Sequence, residues 1–413
     1  MRASPLRFVP RTSQFLVVSA ALVFMGCGDE TIDPAPGGGG EGGTGGTGAT
    51  GGTGGAGGVV DGGGGAGGEA PAWHVPACDS VSGSGAVTFT TDEGATLAPT
   101  SGGLTGVTYS FGLVALDIPN TLLLASGGDL LESVDAGCTW TSVGALPIDT
   151  LNLVAATGGV AYGYYDNQDL LVRIAGHDIE VLDPPGDWIH AVGVDPTNAD
   201  HVRVLDAAGG LQESTDGGAT WSKLGTPIAG GANALLYTAA FDPNDFDHVL
   251  VGMSNSGLAT TNDAGDTWQF ATGLGTVDKT NAFSVVFSTA QAGLVYVEGI
   301  DLGVNIGDEI RRIWRSTDGG ASFTPIVAES AEVFLTNGVL LAPHPTDPDV
   351  MYFEFGTYYD GYGTDLYRYD QTTGAVTKTH NDYDDVSSIA FNPADPTVMY
   401  LGLTSEQGVG ASP

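Results

Sequence analysis

The stretch Ser133-Val-Asp135-Ala-Gly137-Cys-Thr139-Trp140 decides the fold, because near copies of it recur along the chain. Each copy reads Ser/Thr-x-Asp-x-Gly-x-Ser/Thr and ends in a large apolar residue, and we call the five copies the aspartate turns. Their aspartates are Asp92, Asp135, Asp216, Asp263 and Asp318. The carboxylate can accept hydrogen bonds from turn N–H groups, Gly permits a positive φ, and the closing side chain can pack beneath. The repeat therefore predicts a structural hairpin turn at each copy.

A second repeated element precedes two of these turns. Val194-Asp195-Pro196 and Phe241-Asp242-Pro243 each lie 21 residues before a turn aspartate, and the β-rich runs HVRVL and HVLVG follow them. The repeated unit therefore reads strand, Pro turn, strand, short loop, strand, aspartate turn, strand. That order is typical of a four-stranded propeller blade.

The two ends of the repeat region complement each other. Residues 386–393 and 397–405 supply the first two strands of a blade, and residues 86–91 and 95–100 supply the last two. Pairing these halves would remove two exposed sheet edges. We therefore predict an all-β fold: a single propeller of seven blades of four antiparallel strands, with one blade closed by the N- and C-terminal strands. Six or eight blades remain open alternatives.

The N-terminal region has the pattern of an export signal. Three arginines precede the apolar run 15–25, which is too short to span a bilayer. The run ends in Phe24-Met-Gly-Cys27, which resembles a bacterial lipobox. We therefore predict a signal peptide over residues 1–26, lipidation of Cys27 and a place in the bacterial envelope, periplasmic or at the outer membrane or surface. A plain secretory signal is the alternative.

Composition divides the remaining chain. Glycine makes up 21 of the 32 residues in 37–68, and such a tract has no apolar face to bury. We therefore predict a lipid-anchored disordered linker over residues 27–78, the propeller over 79–408 and a tail over 409–413.

The charge balance excludes one class of partner. The 413 residues include 12 basic and 49 acidic ones, which gives a net charge of −37. Such a field repels phosphate backbones and anionic headgroups, so nucleic-acid binding is excluded and the lipid anchor is the only expected membrane contact. Because 42% of the residues are hydrophobic, the chain can still bury a sizeable core.

The aspartate turns resemble the Asp-box, or BNR, repeat of sialidases, xyloglucanase-type glycoside hydrolases, sortilin-like receptors and photosystem II assembly factors. The resemblance implies a β-propeller in which the repeated turns are structural and lie away from the ligand face. Sialidase chemistry needs a cluster of three arginines. The arginines after the signal are Arg173, Arg203, Arg311, Arg312, Arg315 and Arg368. All of them lie on predicted second or third strands and none on an inner strand, so we exclude sialidase activity.

The xyloglucanase-type resemblance implies two carboxylates that flank a glycosidic bond. Acids in the loops that lead into inner strands are Asp149, Asp187, Asp278, Asp384 and Asp385. Asp187, beside Trp188, and Asp385 are the catalytic candidates, and Asp149, Asp187, Asp278 and Asp384 are candidates for ligand binding. They could also bind Ca²⁺ or a basic partner, although a chain rich in Asp has loop carboxylates by composition alone. No other cofactor is expected.

Tyrosines and cysteines add further candidates. Tyr358, Tyr359 and Tyr362 lie in one loop on the face opposite the aspartate turns, where they suit sugar stacking or protein contact, or packing on their own blade. With Cys27 lipidated, Cys78 and Cys138 remain, and an oxidising compartment favours a bridge between them. Against the bridge, Cys138 lies in an aspartate turn, at the opposite blade edge from where the chain enters strand 86–91. The histidines show no metal-binding spacing.

These observations favour a tethered, monomeric binding or scaffold module for a protein or a polysaccharide. The alternative is an inverting glycoside hydrolase of xyloglucanase type that uses a pair of loop carboxylates.

Overall fold

The structure is a computed structural model, and it describes residues 72–101, 104, 108–149, 151–165, 168–186, 188–228, 235–305, 307–357, 362–382 and 385–405. Strands in these ranges run from Val87 to Thr404, and the one helical element in them is a 3-10 turn at Thr157–Gly159. No helix of the described residues is long and apolar enough to cross a membrane. The predicted all-β class is confirmed.

After a first strand, β1 (Val87–Thr90), the chain forms three four-stranded antiparallel sheets from consecutive strands. The first contains β2 (Gly112–Ala115), β3 (Leu122–Ser126), β4 (Asp129–Ser133) and β5 (Thr141–Ala145). The second contains β6 (Asn152–Ala155), β7 (Val160–Tyr164), β8 (Leu171–Ala175) and β9 (Asp178–Leu182). The third contains β10 (Ile189–Asp195), β11 (Asn198–Asp206), β12 (Leu211–Ser214) and β13 (Ser222–Leu224).

The next eight strands form one larger sheet: β14 (Leu236–Asp242), β15 (Asp245–Met253), β16 (Ser256–Thr261), β17 (Gln269–Phe270), β18 (Thr280–Phe287), β19 (Val295–Asp301), β20 (Ile310–Ser316) and β21 (Thr324–Ala328). Its two antiparallel halves meet where β16 and β18 pair in parallel over two residue pairs. A final four-stranded sheet contains β22 (Leu341–Pro343), β23 (Val350–Thr357), β24 (Gly363–Asp370) and β25 (Ala375–Asn381).

The two ends of the strand region close the fold on each other. The last strands, β26 (Asp385–Phe391) and β27 (Met399–Thr404), form a sheet with β1, in which Val87 pairs with Gly402 and Phe89 with Tyr400. The predicted closure by N- and C-terminal strands is therefore confirmed. The expected fourth strand over 95–100 is not formed. Ala98 donates its N–H to the Phe89 carbonyl, but the next residue, Pro99, has no N–H with which to continue the ladder. The blade count of seven stays a prediction.

Apolar side chains pack between neighbouring sheets. Leu122 and Leu124 of the first sheet pack with Val87 and Tyr400 of the closing sheet, while Leu123 on the same strand packs with the second sheet. This alternation follows from the period of two along a strand, which points successive side chains to opposite faces. Each sheet is therefore held on both sides, as a propeller blade is.

The five aspartate turns share one hydrogen-bond pattern. In the Asp216 turn, one carboxylate oxygen accepts from the Thr220 N–H (2.8 Å) and the other from the Thr220 hydroxyl (2.6 Å). Gly218 follows at φ +96°, a backbone conformation that favours glycine. The Thr220 hydroxyl, with its N–H, holds the pKa of Asp216 down at about 2. Trp140 and Phe323 are buried beneath their turns, whereas Trp221 and Trp268 are only half-buried.

The segment before β1 lies against the first sheet. Cys78 and Cys138 form a disulfide with a Cα–Cα distance of 5.8 Å, and Ser82 donates its N–H to the Cys138 carbonyl (2.9 Å). The approaching chain therefore crosses the aspartate turn, which removes the objection from the sequence. The Trp73 indole N–H donates to the Leu116 carbonyl (3.2 Å), so contact with the first sheet extends to Trp73.

Candidate functional site

The direction of the strands defines two faces. Within each sheet the strands alternate in direction, so the connections between sheets and the turns between second and third strands lie at one end. We call this end the inter-blade face; its connections include residues 146–151, 271–279 and 329–340. The Pro turns and the aspartate turns lie at the other end, which we call the turn face.

The predicted acids that the structure describes lie on the inter-blade face. Asp149 and Asp278 are exposed, and Asp385 is half-buried at the start of β26. Asp149 and Asp278 line different cavities, of about 540 Å³ and 370 Å³. The structure therefore does not bring these two together. Five predicted site residues lie outside the described residues: Cys27, Asp187, Tyr358, Tyr359 and Asp384.

Asp385 has a carboxyl partner that sequence reasoning missed. Glu354 on β23 is 8% exposed, and its side chain hydrogen-bonds the Asp385 side chain. Burial raises the pKa of Glu354 well above its usual value, and the charge of Asp385 raises it further. A protonated Glu354 can donate to the Asp385 carboxylate, and the contact between the two side chains joins the closing sheet to its neighbour.

The spacing of this pair does not suit glycoside hydrolysis. The two carboxyl groups of an inverting glycosidase lie about 6.5–9.5 Å apart, which leaves room for the attacking water. Glu354 and Asp385 are in direct hydrogen-bond contact. The arrangement leaves no gap for a sugar and a water between the two groups.

Glu298 on β19 is a second buried glutamate that the sequence analysis overlooked. It is fully buried, and one carboxyl oxygen accepts the Gly338 N–H (3.0 Å) while the other has no hydrogen-bond partner among the described residues. Burial raises its pKa to about 8, against the lowering effects of that N–H and of Arg311. Both glutamates interrupt apolar strand sequences, VYVEG and MYFEF, and this interruption was the available signal.

The Tyr362 side chain packs on its own blade. Its ring contacts Phe355 at a centroid distance of 5.7 Å, and its hydroxyl donates to Asp365 (2.7 Å). Asp365 is fully buried and also accepts from Lys378 (2.9 Å) and pairs with His380 (2.8 Å). Tyr362 therefore packs on its own blade, and its role in ligand binding stays a prediction.

Within the described part of the chain, four of the six arginines after the predicted signal form ion pairs. Their partners include Asp200 for Arg173, Glu213 for Arg203, Glu329 for Arg311 and Glu93 for Arg368. The innermost strands of the sheets contain no arginine within the described ranges. Groups of three or more His, Cys, Asp or Glu placed to hold a metal ion are absent from those ranges as well.

Large apolar side chains are exposed on the inter-blade face. Phe111, Trp188 and Leu235 occupy equivalent places, each directly before the innermost strand of its sheet. Trp188 is 53% and Leu235 59% exposed, and Val277 in a neighbouring connection is 82% exposed. Trp188 is held in place because its carbonyl accepts the Ala207 N–H (3.1 Å). This face therefore presents apolar groups at the points where the sheets converge.

The same face also carries many exposed acids. The exposed carboxylates of the same face, among the residues that the structure describes, are Asp129, Asp149, Asp169, Asp183, Asp278, Asp308, Glu309, Glu332 and Asp382. Lys279 is the one basic residue in those parts of the connections that the structure describes. The face therefore combines exposed apolar side chains with many exposed carboxylates.

The turn face has a different character. A cavity of about 410 Å³ lies among the innermost strands there, lined mainly by apolar residues that include Leu113, Ala155, Pro345 and Ile389. It offers no carboxylate for acid–base chemistry.

No family model matches the sequence. Among solved structures, the GH74 enzyme of Niastella koreensis matches with a TM-score of 0.53 at 16% identity, over 75% of this chain and 53% of that one. The GH74 xyloglucanase of Xanthomonas campestris matches with a TM-score of 0.53 at 17% identity, over 75% of this chain and 54% of that one. The chain thus spans about half the length of either enzyme. At this identity the likeness supports the propeller fold and nothing further.

A curated protein is much more similar. The dispase autolysis-inducing protein of Streptomyces mobaraensis is 54% identical over 340 residues, which cover 81% of this chain and 91% of that protein. The similarity therefore extends over almost the whole of the relative. The chain belongs to the family of the dispase autolysis-inducing protein.

Proposed function

We propose that this protein is an exported binding module that docks a protein on its inter-blade face, and that the docked protein is a protease. The observation behind the proposal is that Phe111, Trp188 and Leu235 are exposed on a face that also carries many exposed carboxylates. Aromatic and aliphatic anchors inside a polar rim are typical of protein interfaces. The name of the relative, which says that it induces autolysis of dispase, supports a protease as the partner.

The charge distribution indicates which surface such a partner would present. With a net charge of −37 and many exposed carboxylates on the docking face, the chain attracts a basic surface and repels an acidic one. Electrostatic attraction of this kind speeds association and selects among partners, while desolvation of the central apolar groups supplies affinity. We therefore expect binding that weakens as salt is added.

The carboxyl geometry supports binding over catalysis. Asp149 and Asp278 line separate cavities, and Asp385 is in contact with Glu354 rather than across a gap from it. Neither arrangement provides two carboxylates on opposite sides of a substrate bond. Glycoside hydrolysis of xyloglucanase type remains the second candidate, and binding of a polysaccharide the third.

We further propose that the module is tethered to the envelope through lipid on Cys27. A Gly-rich coil of the length of residues 37–68 has a root-mean-square reach of roughly 30 Å, which would let a tethered module meet a partner away from the membrane. The partner would then be exported as well.

Dispase is the probe for the binding test. The full chain carrying Cys27→Ser, which removes the predicted lipid attachment, is immobilised, and dispase binding and fragmentation are followed by surface plasmon resonance and gel electrophoresis. Trp188→Ala should weaken binding by about tenfold or more, because central aromatic anchors dominate interface energies. Val277→Ala should weaken it too.

Val134→Ala is the matched control for Val277→Ala. Val134 is 64% exposed but lies in an aspartate turn on the opposite face, so its truncation should leave dispase binding unchanged. Absence of saturable binding, or equal effects of the two valine variants, would refute the proposal. Release of reducing sugar from xyloglucan would instead favour the hydrolase.

A further inference from the structure

The cavity beside Asp278 combines an aromatic wall with a carboxylate. It measures about 370 Å³ and lies between the turn Asn255–Gly257 and the connection that follows β17. Phe270, Leu274, Ser256, Thr276 and Asp278 are among its lining residues. The Phe270 side chain is 48% exposed, so part of its ring is open to a ligand.

Local hydrogen bonds hold the walls of this cavity. The Thr280 hydroxyl donates to the Leu274 carbonyl (2.8 Å), and the Lys279 N–H donates to the Thr276 carbonyl (3.1 Å). Asp278 itself is held at φ +57°, a left-handed conformation uncommon outside glycine. The connection that carries Asp278 is thus shaped before any ligand arrives.

The chemistry of the cavity suits a long basic side chain. Lysine and arginine have an aliphatic stem, which can lie on the Phe270 ring, and a cationic head, which can reach a carboxylate. Asp278 is exposed and its side chain has no hydrogen-bond partner among the described residues, so its oxygens are available to such a head. The net charge of −37 favours a cation over an anionic or a neutral ligand. Lys279 is the next residue but does not line the cavity.

We infer that the Asp278 cavity receives a lysine or arginine side chain of the docked protein. The inference rests on the proposed function, which supplies the partner, and it adds the chemical feature by which that partner is selected. Val277, 82% exposed beside the cavity, would lie against the surface that presents the basic side chain.

Small probes test the cavity without any protease. N-acetyl-arginine amide and its neutral isostere N-acetyl-citrulline amide are titrated into the full chain carrying Cys27→Ser, and binding is followed by NMR. Arginine amide should bind about fivefold more tightly than citrulline amide, since partly exposed ion pairs are weak. Asp278→Asn should abolish this difference.

Asp178→Asn is the matched control, because it removes the same charge from an exposed residue at the start of β9, on the turn face and away from the cavity. It should leave the preference for arginine amide intact. Equal affinity for the two amides, equal loss in the two variants, or tighter binding of methyl glucoside than of arginine amide would overturn the inference. A failure of dispase to bind would refute the proposed function yet leave the arginine–citrulline comparison valid, so the two failures are distinguishable.

Discussion

Replacing Glu298 by Gln should change how the stability of the protein depends on pH. Glu298 is fully buried, and burial raises its pKa from the usual 4.5 to about 8. A carboxyl group with a raised pKa in the folded state favours folding below pH 4.5, where both states are protonated. That contribution is lost as the pH rises through 8, because the unfolded chain ionises first. The glutamine side chain has the same shape and never ionises.

The size of the effect follows from the shift in pKa. One pKa unit corresponds to about 1.4 kcal/mol, so a shift from 4.5 to about 8 corresponds to about 5 kcal/mol. The wild-type protein should therefore lose up to about that much unfolding free energy between pH 4.5 and 9 through this one residue. Glu298→Gln should lose correspondingly less unfolding free energy over this range, because an amide does not ionise. Its amide oxygen can still accept the Gly338 N–H.

Equilibrium urea unfolding at half-unit pH steps measures the difference. Glu332→Gln is the matched control: Glu332 lies in the connection that contains Gly338 but is exposed, so its curve should follow the wild type. Parallel pH curves for wild type and Glu298→Gln would refute the reasoning. They would mean that Glu298 is solvated or paired in the folded protein.

Four further predictions concern the scaffold and its tether. Asp216→Ala should lower the melting temperature without altering dispase affinity, since it removes the acceptor for the Thr220 N–H and hydroxyl; unchanged stability with lost binding would contradict this. Deleting residues 386–413 should abolish cooperative unfolding in a thermal melt, because β1 would lose the neighbour it pairs with; a soluble, cooperatively melting truncation would argue against closure. Cys78→Ser removes a covalent link between residues 60 apart and should lower the unfolding free energy measured in urea by about 4 kcal/mol; an unchanged unfolding free energy would contradict this. Labelling with a palmitate analogue should mark the wild type and fail for Cys27→Ala, and equal labelling of both would remove the lipoprotein proposal.

Local patterns account for the parts of the fold that could be predicted. Each aspartate turn is closed by hydrogen bonds between residues two to four positions apart, such as Ser214 to Asp216 and Asp216 to Thr220. Such contacts are readable because all partners lie in one short motif. The closing sheet was predictable for a related reason, since two incomplete blades left edges that could only pair with each other.

The expected strand over 95–100 shows where pattern reading fails. The run alternates well enough to suggest a strand, yet Pro99 removes a donor. The segment makes one backbone bond to β1, from Ala98 to Phe89, while the Pro99 carbonyl accepts the N–H of Val81 instead. The path of residues 72–84 was also unpredictable. It depends on contacts of Trp73 with Leu116 and of Ser82 with Cys138, which lie 43 and 56 residues further along the chain.

By itself, the sequence determined the all-β propeller, its structural turns, its closure and its negative charge, because these follow from short repeats and from composition. Only the tertiary structure decided which acids are buried and have shifted pKa values. Burial raises the pKa values of Glu298 and Glu354, and their carboxyl groups contact Gly338 and Asp385, near the starts of the innermost strands of neighbouring sheets. No local sequence pattern records those contacts. The tertiary structure likewise placed Asp149 and Asp278 in separate cavities and exposed Trp188 and Leu235 on one face. Burial and proximity arise when distant segments pack, so the chemistry of a propeller face appears only once the blades are assembled.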